Sequence, residues 1–78
     1  MNSKEFDAWA KEYAQSFVDE ADNEDLEAFL DQDFEESCCI EDDILKEDGQ
    51  EYTAKQIEKL VTVMKRMSRK VLKAHSED

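Results

Sequence analysis

Proline is absent from the 78-residue sequence, and glycine occurs once, at Gly49. Runs rich in proline, glycine or serine are typical of flexible or extended linkers between domains, and the chain contains no such run. A length below about 100–200 residues also favours a single domain. We therefore expect residues 1–78 to form one small domain, of modest stability because so short a chain buries only about 60% of its unfolded surface.

Positive charge and long apolar runs are also scarce. The chain has 10 Lys and Arg against 22 Asp and Glu, which gives a net charge of −12. Because proteins bind nucleic acid mainly through Lys and Arg that neutralise phosphates, we expect no direct nucleic-acid binding. No run approaches the roughly 18 apolar residues of a membrane span. The first residues lack the basic and apolar segments of a secretory signal, so we expect a cytoplasmic protein without a membrane partner.

Groups suited to catalysis or metal binding are few. The one histidine, His75, has no evident partner for a nucleophile–base pair with Cys38 or Cys39. The cysteines lack the C-x₂-C spacing that is common in zinc sites, and the acids around Gly49 do not fit a calcium loop. We therefore expect no enzymatic activity, no catalytic residue, no metal and no cofactor.

Cys38 and Cys39 are neighbours in the sequence. Adjacent cysteines rarely form a disulfide with each other, because the resulting ring is strained. Two free thiols are typical of a reducing compartment, and small half-buried side chains are the simplest interpretation. An intermolecular disulfide or a redox role remains the alternative.

Two long amphipathic helices are predicted at the ends of the chain. Asn2 with Glu5 begins the first like a capping box, and Thr53 with Gln56 begins the last. Apolar residues follow each cap at spacings of three and four, which indicates one buried helical face. The sequence predicts helices over about 3–21 and 53–75.

The middle of the chain gives weaker signals. A helix over about 23–34 is predicted because acids in its first turn suit the helix dipole. A short helix over about 40–47, with Gly49 as its left-handed C-terminal residue, is plausible. A hairpin that turns at Asp48–Gly49 is the alternative. The residues expected to contribute core contacts in this part of the chain are Cys38, Cys39, Ile40, Ile44 and Leu45.

These elements predict an all-α fold, a compact bundle of three to four helices in which two are long and one or two are short and acidic. The residues expected at the centre of the core are Trp9, Phe17, Phe29, Leu30, Leu60 and Met64.

Acidic residues are dense between Asp31 and Glu51, where Lys46 is the one base. A solvated, solubilising surface is one interpretation. A net charge of this size also opposes compact folding by self-repulsion, so the acids are a candidate surface for a basic partner. The candidate partner-binding residues are Asp31, Asp33, Glu35, Glu36, Glu41, Asp42 and Asp43.

The last helix is basic on its polar side. Residues 52–78 carry 7 bases and 3 acids, whereas residues 1–51 carry 3 bases and 19 acids. Neutralisation of these bases within the fold is one interpretation, and contact with an acidic partner, a second copy or RNA is the other. The apolar side is wide for so small a bundle, and the residues that could support a homodimer along one edge are Val63, Met67 and Ala74.

Taken together, the sequence favours an acidic protein-interaction module. The most specific hypothesis is an inhibitor that resembles DNA in its charge and covers a basic, nucleic-acid-binding surface of a partner protein. Small acidic helical proteins include phage- or plasmid-type inhibitors, and this likeness is one of class alone. The alternative is a structural or adaptor protein that forms a homodimer or complex subunit through its last helix.

Overall fold

The computed structural model describes residues 2–76, so Met1, Glu77 and Asp78 of the expected domain lie outside the described residues. Four helices and no strand are present in this range, which confirms the expected all-α bundle. The helices are α1 (Ser3–Glu20), α2 (Asn23–Asp31), α3 (Phe34–Glu47) and α4 (Ala54–Ser76).

Both expected N-terminal caps are formed, and the one at Thr53 is a full capping box. The Asn2 side chain accepts a hydrogen bond from the Glu5 main-chain nitrogen at 2.8 Å and donates to the Glu5 carboxylate at 3.2 Å. Thr53 and Gln56 bond reciprocally, each side chain accepting from the other residue's main-chain nitrogen, at 2.9 and 3.2 Å. Because each cap satisfies otherwise unpaired main-chain donors, α1 and α4 begin within one residue of the expected positions.

Helix α3 is longer than the sequence predicted, since it begins at Phe34 instead of near residue 40. Its buried side is formed by Ser37, Glu41 and Leu45, which follow one another at intervals of four. Two of these three residues are polar, and apolar periodicity therefore gives little sign of the helix. The prediction of a short third helix was wrong at its N-terminal end for this reason.

Gly49 ends α3 and excludes the hairpin. Its φ of 82° lies in the left-handed region that glycine adopts without strain. The Gly49 nitrogen donates to the Lys46 carbonyl at 3.0 Å, and the Gln50 nitrogen donates to the Leu45 carbonyl at 2.9 Å. This pair of bonds is the Schellman arrangement, which satisfies the last carbonyls of a helix.

Helix α4 is the centre of the bundle, because α1, α2 and α3 all pack on it. The N-terminal part of α1 is tied to that of α4 by an ion pair between Asp7 and Lys59. Further along both helices, Gln15 and Lys70 line one groove, so α1 and α4 run in the same direction. Helix α2 runs the opposite way. Its first residue, Asn23, contacts His75 at 2.6 Å (Oδ1 to Nδ1), and its last turn reaches Lys65.

The core is built around small residues of α1. Ala10 and Ala14 are almost fully buried, and with Leu60 and Met64 they belong to one buried cluster. Small side chains let α1 approach α4 closely, and of the aromatic residues of α1 only Phe6 is buried. Of the six residues expected at the centre, Leu60 and Met64 are fully buried, and the half-buried ones are Trp9, Phe17, Phe29 and Leu30.

Lys65 lies inside the fold, although its position in the sequence placed it on the polar side of the last helix. Its side chain is buried, and Nζ donates to the main-chain carbonyls of Phe29 and Gln32, each at 2.9 Å. Nζ also lies 4.3 Å from the centre of the Phe29 ring. Lys65 therefore bonds carbonyls at the chain break between α2 and α3, where the Phe29 carbonyl also accepts from the Gln32 main-chain nitrogen at 3.2 Å. Burial, with the nearby Arg69 charge, lowers the pKa of Lys65.

None of the helices in residues 2–76 combines the length and the apolar character that crossing a membrane requires.

Candidate protein-binding surface on helix α3

One side of α3 carries acids and isoleucines together. Their spacings along the helix are 4, 3, 1 and 3 residues, which place all of them on one outward face. All five residues of this face are exposed, and we call it the α3 outer stripe: Glu36, Ile40, Asp43, Ile44 and Glu47.

Exposed apolar bulk is concentrated on this helix. Within residues 2–76, the large hydrophobic side chains classed as exposed are Phe34, Ile40 and Ile44, at 40, 40 and 41%. All three belong to α3. The expectation that Ile40 and Ile44 contribute to the core was therefore wrong. Single exposed apolar residues are common on protein surfaces, but two isoleucines one turn apart among carboxylates form a contiguous contact surface.

The seven acids expected to bind a partner differ in their exposure to solvent. Asp42 is half-buried and forms an ion pair of 2.9 Å with Lys46, four residues further along α3. This ion pair raises the pKa of Lys46. Glu41 is buried. The other five are exposed: Asp31, Asp33, Glu35, Glu36 and Asp43.

Glu41 departs from the expected acidic surface because it points into the bundle. Only 7% of the residue is exposed, and its carboxylate accepts a hydrogen bond of 2.9 Å from the Tyr13 hydroxyl of α1. Burial raises the pKa of Glu41, and the Tyr13 bond opposes part of that rise. Burial and the neighbouring Glu41 also raise the pKa of Tyr13. Glu41 is therefore a structural residue that fixes α3 against α1.

Sequence reasoning missed the contact between Tyr13 and Glu41, which are 28 positions apart. The signal that could have found it is the interval of four that joins Ser37, Glu41 and Leu45. If Leu45 is a core residue of a helix, Ser37 and Glu41 lie on the same buried face. The buried Ser37 hydroxyl also has a hydrogen-bond partner, since it donates to the Gln32 side chain at 2.8 Å.

A shallow cleft lies beside α3, between its cysteine-bearing side and the start of α4. Cys38, Cys39, Tyr52 and Ile57 are among its lining residues. Both cysteines are free, Cys38 half-buried and Cys39 exposed. Burial, together with the negative charge of Glu58, raises the pKa of Cys38. The Cys38 thiol is therefore held in its less nucleophilic, protonated form.

In the part of the chain that the structure describes, no three His, Cys, Asp or Glu side chains are grouped as metal ligands would be. The single histidine, His75, is used in the contact with Asn23.

A second surface feature is a groove between α1 and α4. Val63 and Met67 form its apolar floor and are half-buried. Lys11, Arg66 and Lys70 supply positive charge along it, and Glu12 and Gln15 complete the lining. We call this feature the α1–α4 groove. Two of the three residues expected to support self-association, Val63 and Met67, therefore lie together, whereas Ala74 is exposed outside the groove.

Comparisons of the chain with models of protein families, with curated proteins and with solved structures find no match. The geometry of the chain itself is therefore the basis for a functional proposal.

Proposed function

We propose that the protein is an acidic protein-binding module that uses α3 to cover a basic surface of a partner protein, most specifically a surface that binds nucleic acid. The observation that supports this proposal is the composition of α3. Exposed carboxylates and the exposed large hydrophobic side chains of residues 2–76 occur on the same helix.

The isoleucines favour a protein partner. Burial of exposed apolar surface contributes about 25 cal/mol for each Å² removed from water, and Ile40 and Ile44 still expose about two fifths of their surface. A surface that served solubility alone would gain nothing from them. Nucleic acid offers phosphates that the stripe carboxylates would repel, whereas a protein can offer apolar side chains flanked by bases.

The acids favour a basic partner. Glu36, Asp43 and Glu47 stand along one rigid helix, with axial separations of about 10 and 6 Å at 1.5 Å per residue. Such a row of negative charges could occupy the positions that nucleic-acid phosphates take on the basic surface of the partner protein. The net charge of −12 would also accelerate association with a basic protein through electrostatic steering.

Affinity capture at two salt concentrations tests the proposal. The protein is immobilised, incubated with cell lysate at low and at high salt, and the retained proteins are identified by mass spectrometry. We expect a nucleic-acid-binding protein that high salt releases, because ionic contacts are screened, and that added DNA or RNA displaces. A partner that stays bound at high salt and is not displaced by DNA or RNA would contradict the proposal. It would favour binding through apolar contacts of the last helix.

Matched variants locate the contact in the same experiment. The test variant reverses two exposed acids of the α3 outer stripe, Asp43→Lys and Glu47→Lys. The control reverses two exposed acids on other helices, Glu20→Lys and Glu27→Lys. The net charge changes equally in both variants. If only the control still retains the partner, the result supports α3 as the binding surface. Equal loss of partner retention in both variants would indicate that binding depends only on the overall charge of the protein.

A further inference from the structure

The α1–α4 groove and the α3 outer stripe are complementary in both charge and polarity. The groove has the apolar floor of Val63 and Met67, and its lining carries three bases, Lys11, Arg66 and Lys70, against one acid, Glu12. The stripe has two isoleucines among carboxylates. Both surfaces therefore carry apolar residues, and the charges around them have opposite net signs.

The two surfaces do not meet within one molecule. The groove is lined by residues of α1 and α4 alone, and the residues of the stripe point outward from α3 with their side chains exposed. The complementarity can therefore be satisfied only between molecules.

We propose that α3 of one copy of this chain seats in the α1–α4 groove of a second copy. In this contact Ile40 and Ile44 lie over Val63 and Met67, and Asp43 and Glu47 approach Arg66 and Lys70. The inference does not rest on the proposed function. It uses the same stripe, however, so self-association and capture of a basic partner exclude each other.

A symmetric contact between two α4 helices is less favourable. Val63 and Met67 of one copy facing the same residues of another would bring Arg66 and Lys70 toward their own duplicates. Like charges at such short range oppose association. Seating α3 in the groove replaces these repulsive pairs by attractive ones, which is why we assign different surfaces to the two copies.

The net charge of −12 on each copy limits the strength of the contact. At physiological ionic strength charges beyond about 8 Å are largely screened, so the overall repulsion is reduced while ionic contacts inside the interface persist. We therefore expect weak association, with a dissociation constant in the range of about 0.1–1 mM, that high salt weakens further.

Sedimentation equilibrium at concentrations up to about 1 mM tests this inference. At physiological salt the average mass is expected to rise with concentration above the monomer value of 9.1 kDa, and to return toward it at about 1 M salt. A monomer throughout would overturn the inference. Association that high salt leaves unchanged would also overturn it, because apolar contact alone would then be sufficient.

Charge reversals identify the two surfaces. The groove variant carries Arg66→Glu and Lys70→Glu, and the stripe variant carries Asp43→Lys and Glu47→Lys. Each alone is expected to weaken association by about tenfold, although the stripe variant is less negative overall and so repels its copies less. An equimolar mixture of the two variants is expected to associate again, since the reversed stripe matches the reversed groove.

The matched control reverses two exposed bases outside both surfaces, Lys4→Glu and Lys55→Glu. It changes the net charge as much as the groove variant does, and we expect association at most slightly weaker than that of the unmodified protein. Stronger association of the stripe variant, or failure of the mixture to associate, would overturn the inference. Thermal unfolding of every variant confirms that the fold is retained.

Discussion

The Tyr13 hydroxyl of α1 donates a hydrogen bond of 2.9 Å to the Glu41 carboxylate of α3. This bond connects two helices whose principal packing partner is α4. It also fixes the rotation of α3 about its axis. With Glu41 directed inward, Ile40, Asp43 and Ile44 are directed outward, so the contact determines which face of α3 a partner can reach.

The Tyr13 contact leads to a prediction about stability. Tyr13→Phe leaves a buried carboxylate without its donor and is expected to lower the free energy of unfolding by about 1–3 kcal/mol. Tyr52→Phe is the control, since the Tyr52 hydroxyl bonds to exposed Gln50 at 2.7 Å. We expect it to cost less than about 0.5 kcal/mol. Urea denaturation measures both values, and equal costs would show that the Glu41 contact contributes little.

The raised pKa of Glu41 leads to a prediction about pH. Because its pKa lies higher in the folded protein than in the unfolded chain, ionisation of Glu41 opposes folding as pH rises through this interval. Below the unfolded pKa both states are protonated and the effect vanishes. Glu41→Gln, which can still accept from Tyr13, is therefore expected to stabilise the fold near neutral pH. The gain should disappear as pH falls below about 4.

Urea denaturation of the unmodified protein and of Glu41→Gln at a series of pH values measures the difference in their free energies of unfolding. The control is Glu36→Gln, which removes one charge at an exposed position of the same helix. A gain for Glu41→Gln that stayed constant at acidic pH would contradict the assigned cause, which is the burial of a charge.

Lys65 gives a prediction about the junction of α2 and α3. Lys65→Met keeps most of the apolar stem but removes the ammonium group from the carbonyls of Phe29 and Gln32. We expect a loss of about 1.5–3 kcal/mol, the range for hydrogen bonds to a charged group. Lys70→Met on the exposed side of α4 is expected to change stability by less than about 0.5 kcal/mol. Similar losses at both positions would refute the capping role.

The isoleucines of the α3 outer stripe are expected to affect binding as well as folding. Ile40→Ser with Ile44→Ser should lower stability by about 2–3 kcal/mol, since each side chain buries about three fifths of its surface. The same change should weaken binding to the captured partner by about tenfold or more. Leu45→Ser, at a buried position of α3, is expected to destabilise the fold severely. Thermal unfolding and titration calorimetry separate the two effects.

The sequence predicted the helices whose signals are local. Asn2 with Glu5, and Thr53 with Gln56, are capping pairs three residues apart, and the apolar residues after them recur at helical spacing. Gly49 likewise marks the end of α3 through a conformation that other residues avoid. These features depend on neighbours in the chain, and for that reason composition and spacing were sufficient.

The features that the sequence missed depend on contacts between distant residues. Glu41 and Lys65 are charged, so they were expected at the surface, and each is inside because another helix satisfies it. The exposure of Ile40 and Ile44 follows from the inward direction of Glu41. A pattern of apolar residues contains no information about such bonds, and the candidate surface was therefore only partly predictable.

The most direct test of the proposed function is the salt dependence of binding to the partner recovered by capture, measured for three proteins. The first is unmodified. The second loses three charges of the stripe through Glu36→Gln, Asp43→Asn and Glu47→Gln. The third loses three charges from exposed positions on other helices through Glu20→Gln, Glu24→Gln and Glu27→Gln.

We predict that the stripe variant binds at least about tenfold more weakly than the unmodified protein at low salt, with a flatter dependence on salt. The control is predicted to keep most of the affinity and the steep dependence, because it loses the same net charge away from the contact. Equal affinities for the stripe variant and the control would contradict the claim that α3 binds the partner.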